Sequence, residues 1–119
     1  MTSEEVVGTF KIMGTNQDAQ ASPYKGTLQI TLDAYKRIKA VWTIGSNQIQ
    51  TGTGYFKNNI LVISFKYESA SKTIFKGVVV YTCITPHILE GFWFEENGNP
   101  AYLGQERGFR KEVKTNLLN

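Results

Sequence analysis

The sequence has one cysteine, one histidine and three prolines, and no apolar run near the roughly 18 residues that a membrane-spanning helix needs. With Cys83 alone, a disulfide framework is excluded, and Cys83 with the single His87 cannot build a multi-ligand zinc site. The start, Met1 to Gly8, carries no basic stretch followed by an apolar one, so no secretory signal is read there. A lone thiol suits a reducing cytoplasm, although an exported protein whose leader has been removed would read the same way. No Asn-x-Ser/Thr acceptor occurs, and Leu117-Leu118-Asn119 matches no lipidation signal. Gly52-x-Gly54 lacks the third glycine of a dinucleotide fingerprint, and no phosphate-cradling Gly-Lys-Ser/Thr run exists. Neither a metal nor a cofactor is therefore expected.

Charge is also modest. Thirteen Lys plus Arg against ten Asp plus Glu give +3, too small an excess to indicate a nucleic-acid partner. The basic cluster Arg107, Arg110, Lys111 and Lys114 is interrupted by Glu112 and reads as a solvated strand end. Single-strand binding would require exposed aromatics between such charges, and here most aromatics fall on the inward face. His87 follows Pro86 in an expected turn, which favours a solvent-facing histidine over a haem ligand or a partner for Cys83. Glu95 and Glu96 are adjacent on a strand and point to opposite faces, so they cannot share a substrate.

What the chain does have is a period of two. Tyr24, Gly26, Leu28, Ile30 and Leu32 alternate with polar residues, as do Ile38, Ala40, Trp42 and Ile44. Similar alternation runs through Leu61–Phe65, Gly77–Cys83 and Leu89–Trp93. Turn chemistry separates these stretches at Asn16-Gln-Asp, Asp33-Ala34, Gly45-Ser46-Asn47, Asn58-Asn59, Glu68 to Lys72, Thr85-Pro86 and Asn97-Gly98-Asn99-Pro100. The expected strands are about 6–14, 23–32, 35–45, 48–57, 59–67, 73–84, 87–95 and 101–111. Short loops permit only antiparallel neighbours, and a long meander leaves two open edges unless it closes. The expectation is an all-β closed antiparallel up-and-down barrel of about eight strands, forming a single domain over 1–119, with an open sandwich as the alternative. Glycines inside the strand patterns, such as Gly26, Gly52, Gly77, Gly91 and Gly104, fit the bends and close approaches of a small barrel.

Such a barrel either fills with side chains or holds one small ligand. The inward face reads Phe10, Ile12, Tyr24, Leu28, Ile30, Ile38, Trp42, Ile44, Phe65, Val79, Tyr81, Leu89 and Trp93, and the last strand adds Gly104, Glu106 and Arg110. A carboxylate aimed into an aromatic interior is costly unless it is paired, hydrogen-bonded or used. Three readings of Glu106 follow. It orients a ligand in a pocket walled by Trp42 and Trp93, with Tyr24, Tyr81 and Arg110 contributing. It bonds a tyrosine, a tryptophan N–H or Arg110 inside a filled core. Or the last strand is shifted by one residue and Glu106 meets water.

The pattern Gly8-Thr-Phe-x-Ile-x-Gly-Thr-Asn, Tyr24-x-Gly-Thr-Leu-x-Ile, Val41-Trp-x-Ile-Gly, Gly77-Val-Val-x-Tyr, Leu89-Glu-Gly-x-Trp and Gly104-x-Glu resembles small bacterial β-barrel proteins of unassigned role, some loosely labelled fibronectin-binding protein. More distantly it is similar to the calycin superfamily of avidin-like and lipocalin-like barrels. Gly8-Thr-Phe10 stands where lipocalins carry Gly-x-Trp, and no avidin-type set of polar biotin contacts is present. The resemblance implies a barrel that binds a small, largely apolar molecule, and the leading expectation is binding without catalysis. Two other functions stay open: an oligomeric interaction module with a filled core, and an isomerase or cyclase using Glu106. Outward Val41, Val78, Val80 and Phe109 suggest a homo-dimer or tetramer.

Overall fold

The computed structural model describes residues 1–111, so Glu112 and Lys114 of the basic cluster lie outside the described residues. After a short 3-10 helix, Ser3–Val6, the strands are β1 Gly8–Thr15, β2 Pro23–Leu32, β3 Ile38–Ile44, β4 Gln48–Lys57, β5 Ile60–Glu68, β6 Ile74–Thr85, β7 Ile88–Glu95 and β8 Gly104–Arg110. Each strand pairs antiparallel with its successor, and β1 pairs with β8, so the sheet closes as an up-and-down barrel. Closure leaves no free edge, which is why so short a meander tolerates so many valines and isoleucines. Among the described residues no helix is long and apolar enough to cross a membrane.

Local chemistry sets the turns. Asn58 and Asn59, with φ of 52° and 63°, make the two-residue β4–β5 turn whose twist matches the flanking strands. Pro86 and His87 form the two-residue turn between β6 and β7, and Ile84 enters as a bulge in the register after Cys83. At the other end, Gln17 ties two loops together. Its Nε2 donates to the Asn99 carbonyl at 3.0 Å, and its Oε1 accepts the Glu95 backbone N–H at 2.9 Å.

The two ends of the barrel differ. One end, here called the lower end, is plugged by the 3-10 helix, whose Val6 is fully buried among Phe10, Leu28, Ile30, Ile38, Leu61, Ile63 and Leu89. Glu5 holds the helix start by accepting the Thr2 backbone N–H at 2.8 Å. The sequence pattern placed residues 6 and 7 in the first strand. Instead Val6 ends the helix and Val7 is its cap, because the plug buries the valine more fully than an open strand end would. β8 also starts at Gly104 rather than 101, since Asn97 to Leu103 form the loop that Gln17 braces.

Candidate functional site

The inward residues of the upper half converge on a cavity of about 160 Å³, lined by side chains from every strand except β1 and by Asn16 just beyond β1. The rings of Tyr24, Trp42, Phe65, Tyr67, Tyr81 and Trp93 form most of its wall. Four of them make a chain of edge-to-face contacts: Tyr24 to Trp93 at 6.3 Å, Trp93 to Phe65 at 6.2 Å and Phe65 to Trp42 at 6.0 Å. Close packing of such large rings against the sheet needs bare backbone beneath them. A Cβ on Gly104 would overlap the Trp93 indole, and one on Gly14 would overlap the Tyr24 hydroxyl. The strand glycines therefore position the wall.

Glu106 lies at the base of this wall and is only 5% exposed. Its neighbours in register are Gly14 on β1 and Gly91 on β7, so no flanking side chain competes for its space. Tyr24 donates its hydroxyl to Oε1 at 2.7 Å, and Tyr81 donates to Oε2. Trp42 in turn donates its Nε1 to the Tyr81 hydroxyl at 3.1 Å. Burial pushes the Glu106 carboxyl above the ordinary range, while the Tyr81 and Tyr24 hydroxyls, followed by Trp42, pull the other way. Burial first, and the Glu106 charge second, push both tyrosines above their usual range. The two phenols accordingly stay protonated and act as donors.

Nearer the mouth, Tyr67 donates to Glu95, and Gln48, Gln50 and Asn16 supply amide groups. The Trp93 Nε1 N–H is buried with no partner among the described residues.

Five of the six residues singled out from the sequence, Tyr24, Trp42, Tyr81, Trp93 and Glu106, thus share one cavity wall. Arg110 does not reach it. It lies at the lower end, where its guanidinium stacks on Phe10 at 4.8 Å and donates to the carbonyls of Pro86, Val7 and Glu5 at 2.9, 2.8 and 2.6 Å. Both residues face inward on β8, but four residues of strand separate them by about 13 Å. Register error is also removed, since Gln105, Arg107 and Phe109 face out. Arg107 meets Glu90 on the outside.

The sequence reading missed Tyr67, Glu95, Gln48, Gln50 and Asn16. Parity already marked Glu95, two residues beyond Trp93, as inward, but its adjacency to Glu96 obscured that. Cys83 is buried, and burial pushes its thiol up to about 11, while His87 is exposed in its turn.

The fold and cavity together define an eight-stranded up-and-down barrel with an aromatic, carboxylate-bearing chamber at one end. No family model matches the chain, and no curated protein matches it. Solved structures do. A redesigned beta barrel, mFAP1, bound to DFHBI, is similar with a TM-score of 0.72 and 16% identity, over 91% of this chain and 97% of that one. A second redesigned barrel, mFAP0, also bound to DFHBI, gives 0.70 and 16%, over 89% and 99%. A fluorescence-activating beta barrel designed de novo gives 0.63 and 12%, over 93% and 100%. At these identities the likeness is one of architecture, and it carries neither a bacterial nor a fibronectin-binding name.

Proposed function

We propose that this barrel binds one small, largely apolar molecule in its upper cavity, without catalysis. The observation that carries the reading is the cavity of about 160 Å³ walled by aromatic rings, with one buried carboxylate at its base. Mostly apolar walls with a few converging polar groups are the usual form of a small-ligand site. Tyr24, Trp42, Tyr81 and Trp93 would contact the ligand, with Glu106 as its polar anchor. Arg110 belongs with the closure of the other end. Both Glu106 oxygens already accept a tyrosine hydroxyl, which favours a fixed anchor over a proton carrier in an isomerase or cyclase. Two structural neighbours solved with bound DFHBI support the idea that a barrel of this shape can hold a small molecule. The calycin-like pattern of the sequence agrees with it.

The test uses the tryptophans themselves. The chain has two, Trp42 and Trp93, and both line the cavity. Binding of a single-ring hydrocarbon should change their emission saturably and raise the melting temperature. Unchanged emission and melting across the solubility range would remove the reading.

A second reading, self-association, rests on the outer surface. Tyr55, Val62, Val80 and Phe92 lie side by side across β4 to β7, with Val78 and Phe94 paired in a neighbouring row. Val41 and Phe109 fall outside this patch: Val41 is separated from β6 by Thr51 and Lys66. A homo-dimer or tetramer through Val80 and Phe92 would dissociate when both become charged. An unchanged size in solution would remove that reading.

A further inference from the structure

We infer that the cavity selects a small organic cation, an ammonium group carried on an apolar body about one ring in size. This rests on the binding reading above and narrows its ligand class.

The sign of the lining is the first argument. Glu106 and Glu95 line the cavity and, among the described residues, no Lys, Arg or His does. The chain as a whole has the opposite balance, +3. The acidic lining is therefore a local property and not a reflection of composition.

The missing counter-ion is the second. A buried carboxylate normally has a positive partner. Here the candidates are committed elsewhere: Arg110 to three carbonyls and Phe10 at the lower end, Arg107 to Glu90 outside. Glu106 receives only neutral donors, the hydroxyls of Tyr24 and Tyr81. An anionic ligand would add like charge beside it. A cation would supply the charge the protein withholds.

The wall is the third. Ring faces attract cations, and three tyrosines, two tryptophans and a phenylalanine surround this space. Size sets the body. The cavity of about 160 Å³ is close to the ~150 Å³ apolar cavity that takes benzene elsewhere.

The experiment titrates the full chain with phenyltrimethylammonium and, separately, with tert-butylbenzene, the same shape with carbon in place of the charged nitrogen. Binding is followed by tryptophan emission and calorimetry at low salt and pH 8. The cation should bind at least ~10-fold more tightly than its carbon isostere, because only it gains from the carboxylate and the ring faces. In Glu106→Gln the preference should fall several-fold, to what the ring faces and Glu95 retain, while the hydrocarbon still binds. Equal affinities for the two compounds in the unsubstituted protein would overturn the cation assignment and leave the binding reading standing. A preference undiminished in Glu106→Gln would overturn the role of Glu106 as its source. If neither compound binds, the binding reading itself falls, and the inference falls with it. The comparison within the unsubstituted protein decides the matter even if the variant folds poorly.

Discussion

The two halves of this barrel are built from the same alternating strands, yet one is filled and the other is hollow. In the lower half the inward positions carry branched aliphatics and Phe10, all close to fully buried, and the 3-10 helix closes the end. In the upper half large rings alternate with glycines, and the rings touch edge to face across the interior while leaving the cavity of about 160 Å³ between them. Aliphatic side chains of similar size interdigitate and exclude space. Rings seated over bare backbone leave room between them. The contrast also separates the two ionic groups on β8: Arg110 serves closure, and Glu106 faces the chamber.

If that division is correct, damage to the lower half should cost stability and leave the chamber intact. Phe10→Ala should lose about 3–5 kcal/mol in denaturant unfolding, through the cavity left in a filled region and the loss of the surface under Arg110. Arg110→Ala should lose less, about 2–3 kcal/mol, because carbonyls of Glu5, Val7 and Pro86 lose a charged donor. Hydrocarbon binding, measured well below the melting temperature, should persist in both. A loss of binding in Arg110→Ala would break the division.

Gly104→Ala strikes the upper half instead. The new methyl group meets the Trp93 indole, so the ring must move into the chamber. The expected cost is about 1–3 kcal/mol, with tryptophan emission altered and ligand response abolished. Gly45→Ala is the control. Gly45 has positive φ, but nothing lies within 4 Å of the added methyl, so the variant should lose stability without losing binding.

A smaller effect comes from pH. The groups facing the Glu106 carboxyl are Tyr24 from β2, Tyr81 from β6 and, through Tyr81, Trp42 from β3; β1 and β7 present only Gly14 and Gly91. Because burial raises the folded-state pKa of Glu106, its contribution is fully present below the unfolded carboxyl pKa. It is lost as pH rises through the raised folded value. The melting temperature of the unliganded protein should therefore fall, relative to that of Glu106→Gln, between acidic and neutral pH. Parallel curves for the two proteins would contradict the burial of an ionisable carboxyl. Smallest of all is the difference between the tryptophans. Trp42→Phe should cost about 1 kcal/mol more than Trp93→Phe, since only Trp42 donates a hydrogen bond inside the wall.

Much of this was legible in the sequence, and the limits have physical causes. Period-two alternation identified the inward face because a closed sheet makes each side chain choose between core and water. For the same reason Glu106 stood out as a polar residue among Gly104, Gly108 and the rings. Alternation gives the face but not the height. Arg110 shares the face of Glu106 and sits at the opposite end. Gln48, Gln50 and Glu95 have inward parity, yet polar side chains near strand ends give no sequence signal of a cavity, and only the rim geometry brings them to it. The 3-10 plug does have a local signature, the Thr2-x-x-Glu5 capping box, but the apolar pair Val6-Val7 directly after it extends the strand pattern and masks it. Val41 and Phe109 were grouped with Val78 and Val80 by parity, although the register sets them on different parts of the outside.

The most direct test is a titration of the unsubstituted protein and Gly104→Ala with benzene, read by tryptophan emission. A saturable one-to-one response from Trp42 and Trp93 is expected in the first protein and none in the second. A flat response in the unsubstituted protein, or an equal response in both, would contradict a binding chamber in the upper half.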